Sequence, residues 1–145
     1  MFLGQFTHTI DSKNRLTIPA RYRTALASGA TIVQGYERNL IVYTTESFEK
    51  LALQTQTHSN TNPEARRLRR FVFGTASEVD LDSAGRILLP TFLKEYAALE
   101  NEATIVGTGE YFEIWNSDDW SRELESVSDP ETNAERFTHF DLSTG

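Results

Sequence analysis

"IDSKNRLTIP", residues 10–19, returns later in the chain as "LDSAGRILLP", residues 81–90. Both run apolar residue, Asp, Ser, two variable residues, Arg, a short apolar strand and Pro. Aspartate is favoured at the first position of a type I turn. The residue that closes such a loop must tolerate a positive φ. These positions hold Asp11 with Asn14 and Asp82 with Gly85, residue types that enter the left-handed region readily. The spacing therefore predicts, twice, a three-residue hairpin loop closed by a left-handed residue and a bulge. Each aspartate should accept backbone N–H groups two and three residues on, with the arginine leaving beside it on the opposite strand. Leu16 and Ile18 alternate with Arg15 and Thr17, the period of a half-buried strand. Pro19 and Pro90 end these strands and suit the first turn of helices in "ARYRTAL" and "TFLKEYAAL".

The duplication extends outward from this loop. "ATIV" from Ala30 matches "ATIV" from Ala103, and "LIVYTTESF" from Leu40 matches "FEIWNSDDW" from Phe112. Tyr43 then pairs with Trp115 and Phe48 with Trp120, positions read as core. Each copy reads strand, tight turn, strand, short helix, strand, turn, strand, helix. "TIVQGYERNLIVYT" and "TIVGTGEYFEIWN" are the second hairpins, and "SDDWSREL" is a helix opened by Ser117 or Asp118. The predicted organisation is a first repeat over 5–51, a basic helical linker over 52–75, a second repeat over 76–122, and an acidic, mobile tail over 123–145. One copy alone leaves an apolar sheet face and open edges. Two copies can interleave their hairpins into one closed β-core, so an α+β pseudo-dimer within one chain is expected.

Composition narrows the function classes. With 39% apolar residues the chain can fill a core. It has no cysteine, which excludes disulfides and thiolate chemistry. The N-terminal stretch lacks a basic and then a long apolar region, and no run is long enough to span a bilayer, so a soluble cytoplasmic protein is expected. The net charge is −7, but residues 1–74 carry +5 and residues 75–145 carry −12. Such asymmetry suggests an anionic partner at one end.

The Asp/Arg turn has a structural reading, a cross-strand ion pair. It also has a functional one, in which the aspartate orients a guanidinium whose planar fork suits phosphate or the guanine edge. Lys13 at the tip, with Arg21 and Arg23 on the following helix, makes the first copy a basic cluster. Ala84, Phe92 and Lys94 stand at those places in the second, so the first copy should contribute more. "NPEARRLRRFVF", from Asn62, reads as a capped helix with Ala65, Leu68, Phe71 and Val72 on one side and Arg66, Arg67, Arg69 and Arg70 on the other. That basic side is a solvated face, a contact for a neighbour's acidic half, or a DNA contact. His8, His58 and His139 are scattered without metal-ligand spacing, and "GTGEYF" from Gly107 is no dinucleotide fingerprint. Asp118 and Asp119 suit capping. No catalytic residue, metal or cofactor is expected. In the tail, Phe137, Phe140 and Leu142 are candidates to dock on a neighbouring subunit.

The N-terminal "MFLGQFTHTIDSKNRLTIPARYR", the doubled D-x-x-x-R turn and "NPEARRLRR" between the copies together resemble the MraZ family of bacterial transcriptional regulators, within the AbrB-like swapped-hairpin superfamily. The resemblance covers residues 1 to about 125. It implies two tandem swapped-hairpin β-barrel repeats and a ring-shaped homo-oligomer. It also implies nucleoid association and binding to short direct repeats in the promoter of a division and cell-wall gene cluster. The family's DNA-binding turns map onto Asp11, Arg15, Asp82 and Arg86, with Lys13, Arg21 and Arg23 around them and Asn14 and Gly85 shaping the loops. Asn14 departs from the usual glycine, and the second tip is uncharged at Ala84. An antitoxin-like protein-interaction module using the same β-core is the alternative reading.

Overall fold

The computed structural model describes residues 1–144. The first repeat supplies strands β1 (Gln5–Thr9), β2 (Arg15–Thr17), β3 (Ala30–Gln34) and β4 (Leu40–Thr44). The second supplies β5 (Ser77–Val79), β6 (Arg86–Leu88), β7 (Glu102–Gly107) and β8 (Phe112–Trp115). Helices α1 (Ala20–Arg23), with a 3-10 turn after it, and α4 (Thr91–Tyr96) follow β2 and β6. Helices α2 (Thr45–Gln56) and α5 (Ser117–Val127) follow β4 and β8. Helix α3 (Pro63–Gly74) joins the repeats, and α6 (Pro130–Arg136) comes last.

The repeats are threaded through one another. An antiparallel sheet runs β1-β7-β8-β4-β3-β5, and β2 pairs with β6 in a separate ribbon. Within a repeat only β3 with β4 and β7 with β8 form full ladders. The ladders β1·β7, β2·β6, β3·β5 and β4·β8 all join one repeat to the other. The architecture is α+β with two interleaved repeats. The large sheet ends at β1 and β5, and the Ile10–Leu16 bridge ties it to the ribbon.

Between sheet and ribbon lies one core. Leu16, Ile18, Ile87 and Leu89 from the ribbon meet Ile32, Leu40, Ile105, Phe112 and Ile114 from the sheet, all at 1% exposure or less. Phe2, Tyr22 and Phe112 form an aromatic group with centroids about 5 Å apart, favouring edge-on contacts. Tyr22 donates its hydroxyl to the Leu3 carbonyl at 2.6 Å. The N-terminal segment packs so closely over Gly107 that a Cβ there would lie 2.5 Å from the backbone of Phe2 and Leu3.

The outer sheet face repeats the duplication in its aromatics. Tyr43 and Phe48 pack with centroids 6.1 Å apart and planes tilted by 57°, and Trp115 and Trp120 do the same at 5.6 Å and 58°. Beside Trp115, Glu113 accepts its indole N–H at 3.0 Å. Burial pushes the Glu113 carboxyl above its ordinary range; the indole bond opposes this, and Glu37 adds to it. The folded state therefore holds the proton more tightly than the unfolded chain, so stability falls as pH rises from the ordinary glutamate pKa through the raised one. Glu113→Gln keeps an acceptor for Trp115 and removes the charge. It should raise the melting temperature at pH 7 by a few degrees and abolish that decline, as a thermal-melt series against pH would show.

Local details depart from the sequence reading in several places. The cap of α5 is Asn116, which accepts the N–H groups of Asp118 and Asp119, and not Ser117 or Asp118. Pro19 and Pro90 occupy cap positions with extended ψ, one place before the first helical residue. Arg69 does not belong to a solvated face. Its Nη2 reaches the carbonyls of Gln56 and His58 at 3.1 and 3.2 Å, a cation at the C-terminal end of α2. The tail contains the last turns of α5 and the helix α6, whose cap Asp129 accepts from Thr132. Phe137, Phe140 and Leu142 are exposed. Among the described residues no helix is long and apolar enough to cross a membrane.

Candidate nucleic-acid interface

Both D-x-x-x-R loops have the same wiring. Asp11 Oδ1 accepts the backbone N–H groups of Lys13 and Arg15 at 2.9 Å each, and its Oδ2 accepts Arg15 Nε at 2.7 Å. Asp82 Oδ1 accepts those of Ala84 and Arg86 at 2.9 Å, and its Oδ2 accepts Arg86 Nε at 2.9 Å. The aspartates thus bind two and four residues on, because the bulge brings the arginine's own N–H inward. Asn14 has φ +62° and Gly85 φ +76°, both left-handed. The Arg15 and Arg86 backbone N–H groups are the chief cause that holds the Asp11 and Asp82 carboxyls below the usual carboxylate range. Both aspartates therefore stay ionised until pH falls below the ordinary aspartate value.

The arginines are neither sealed nor free. Their side chains are 33% and 29% exposed, each with Nε committed to its own loop's aspartate. Arg86 Nη1 also lies 3.5 Å from Asp11 Oδ2, so one carboxylate touches both guanidinium groups. The Nη edge of Arg15 has no hydrogen bond among the described residues, so a planar donor edge is left unpaired on a one-third exposed side chain.

The β2·β6 ribbon fixes what stands beside each arginine. Residues directly opposite on antiparallel strands share a face. Arg15 is opposite Leu88, Thr17 is opposite Arg86, and the buried Leu16–Ile87 pair lies between them on the other face. The ribbon's outer face therefore holds Arg15, Leu88, Thr17 and Arg86.

Threading also crosses the supports of the two loops. Arg23 donates Nε to the Ile18 carbonyl at 3.0 Å and lies over Gly85, where a Cβ would be 2.3 Å from its guanidinium carbon. Lys94, its repeat equivalent, donates to Asn14 Oδ1 at 2.8 Å. The Ile18 N–H reaches the Gly85 carbonyl, and the Leu89 N–H reaches that of Asn14. Each repeat's strand end and helix thus hold the opposite repeat's loop. Arg23 stands with the second turn, not with Arg15 as grouping along the chain places it. Arg21 is exposed, its guanidinium 5.5 Å from the Phe6 ring centroid, and Lys13 is exposed at the first tip. Leu88, Thr17 and Lys94 join the surface through strand pairing, for which spacing along the chain gives no signal.

Gly85 and Asn14 consequently fill the same corner differently. Gly85→Ala would place a Cβ under Arg23 at positive φ, and should cost about 1–2 kcal/mol. Asn14→Gly relieves its backbone and loses one bond to Lys94, so its effect should stay within about 1 kcal/mol. Urea unfolding of the two variants measures the contrast.

A family described as "MraZ protein, putative antitoxin-like" matches residues 1–71 and again residues 72–141. A protein of Thermomicrobium roseum is 46% identical over 128 residues, covering 88% of this chain and 90% of that protein. One from Herpetosiphon aurantiacus is 41% identical over 129 residues, covering 89% and 90%. One from Leuconostoc mesenteroides is 38% identical over 143 residues, covering 98% and 100%. Each of the three is named "Transcriptional regulator MraZ". The doubled family match falls on the doubled turn and the interleaved sheet, and this chain belongs to the MraZ family.

Proposed function

We propose that this protein is a DNA-binding transcription regulator and that the β2·β6 ribbon with its two loops is the surface that meets DNA. The observation that carries this reading is the paired loop geometry. Two guanidinium groups, each fixed through Nε by its own aspartate, sit on one ribbon face in a chain of net charge −7. Preset arginine forks suit phosphate and the guanine O6/N7 edge. The acidic remainder of the surface repels DNA and leaves this face as the productive contact. The names of the relatives support the same role.

In this proposal Arg15 and Arg86 contact DNA, Lys13 and Arg21 contribute charge to its edges, and Arg23 braces the second loop. The target is a set of short direct repeats upstream of the division and cell-wall gene cluster. Several subunits joined in a ring engage successive repeats, since one or two arginine contacts are too few for promoter choice and tethering raises effective concentration. The exposed basic residues Arg66 and Arg70 on α3 and the acidic α5 and α6 support head-to-tail association of this kind. The protein works in the cytoplasm on the nucleoid, and not as an enzyme.

Salt dependence tests this reading. Affinity for a duplex taken from upstream of its own gene should fall linearly on a log–log plot, with a slope near −0.9 for each phosphate neutralised. Four engaged cations per chain predict a slope of about −3 to −4 per subunit bound. An affinity nearly independent of salt, or no affinity for DNA at all, would favour the protein-interaction reading instead.

A further inference from the structure

The two loops are related by the duplication, yet their surroundings on the ribbon differ. Beside Arg15 stands Leu88, with 58% of its surface exposed, and α4, which continues that strand, carries Phe92 at 48%. At the repeat-equivalent places are Thr17, opposite Arg86, and Arg21. The tips differ as well, Lys13 in one and Ala84 in the other. A large apolar side chain exposed beside an arginine on the ribbon's outer face leaves most of its surface unpacked in the chain itself. Leu88 and Phe92 are not needed to seal the core, which Leu16, Ile87, Leu89 and Leu93 close from beneath.

We infer that Leu88 and Phe92 are specificity residues that give this pseudo-symmetric surface a single direction on DNA. This rests on the DNA-binding reading above. A surface with true two-fold symmetry meets the dyad of a duplex equally well in two orientations. Here the Arg15–Leu88 half presents a fork with an apolar neighbour, which suits a guanine next to a thymine whose methyl group Leu88 covers. The Arg86–Thr17 half presents a fork with a hydroxyl, and Arg21 in place of Phe92 adds a phosphate contact. Reversing the protein would set Leu88 against a base without a methyl group, with its apolar surface facing polar base edges. One such mismatch is enough to favour one orientation by about fivefold or more.

The absence of native cysteine permits a direct test. An iron–EDTA cleaving group is attached to Ser12→Cys or to Ser83→Cys, equivalent exposed positions of the two loops. Each labelled protein is bound to a duplex of the region upstream of its own gene. In the native background the two probes should cut opposite flanks of a bound site, each preferring its flank by about fivefold or more. In the background A84K/L88T/F92R, where the tip, strand and helix positions of the two copies carry the same residues, both probes should cut both flanks nearly equally. Leu88→Thr alone should lower the ratio without changing the melting midpoint. These ratios do not depend on overall affinity, and Ala84→Lys alone, which evens only the charge of the tips, should leave them standing; a ratio lost in that variant overturns the role of Leu88 and Phe92. Equal cutting of both flanks by the native protein, or a ratio unchanged in the triple variant, overturns the inference and leaves DNA binding standing. If neither probe cuts any duplex, the DNA-binding reading fails and this inference fails with it.

Discussion

Replacing both turn arginines with alanine should weaken binding to the upstream duplex by about a hundredfold or more while the protein stays folded. A bidentate arginine contact discriminates by about 1–3 kcal/mol, and removing two of them together reaches that range. The ribbon makes the effect larger than two isolated arginines would give. Asp11 and Asp82 remain in place, so R15A/R86A leaves two carboxylates facing DNA with no guanidinium between. Single variants should not add simply, because Arg86 lies 3.5 Å from Asp11 and remains beside that carboxylate when Arg15 is removed. The crossed supports also narrow the gap between the two turns. Arg23 sits at the second loop, so Arg86→Ala should weaken binding nearly as much as Arg15→Ala, although grouping along the chain favours the first copy. Fold stability should change little, since half-exposed ion pairs contribute little. Fluorescence anisotropy at fixed salt, with a thermal melt of each variant, separates the two effects.

The second large effect concerns the seam beneath these arginines. Leu16→Ala should destabilise the protein by about 2–5 kcal/mol, with Ile87→Ala in the same range. Both side chains are at 1% exposure or less and face each other across the ribbon, between sheet and loops. Against a total stability of about 5–15 kcal/mol, this is a large fraction. Since most ladders join one repeat to the other, neither repeat keeps a complete sheet without its partner. Unfolding should remain a single transition with an unchanged denaturant slope and a lowered midpoint. A loss under about 1 kcal/mol would mean that the ribbon packs loosely, and its arginines could not then be held as rigidly as the interface requires.

Much of this fold is readable in the chain. The Asp11–Asn14 and Asp82–Gly85 turns, the two later hairpins and the helices after them follow from turn chemistry and apolar period, which are local. Tyr43–Phe48 and Trp115–Trp120 pack as equivalent pairs, as the self-alignment has them. Strand partners are a different matter. Nothing in "RLT" or "RIL" states that Arg15 faces Leu88, or that Arg23 reaches Gly85 and Lys94 reaches Asn14. Those contacts follow from threading, a choice between pairing within a repeat and pairing across the two that burial settles globally. The cap of α5 is ambiguous in the sequence because Asn116, Ser117 and Asp118 are all good capping types. Helix α6 is easily missed because acidic composition outweighs a clear signal. "DPE" from Asp129 repeats the cap, proline and acid of "NPE" from Asn62, which opens α3.

In the function proposed above, the ribbon and its two loops, flanked by α1 and α4, form the surface that meets DNA. Amide chemical shifts of the nitrogen-15-labelled protein, followed while the upstream duplex is added, address it most directly. Changes should concentrate at residues 11–17 and 82–88, with smaller ones along α1 and α4. Changes centred on α3 around Arg66 and Arg70, with the two loops unmoved, would contradict it.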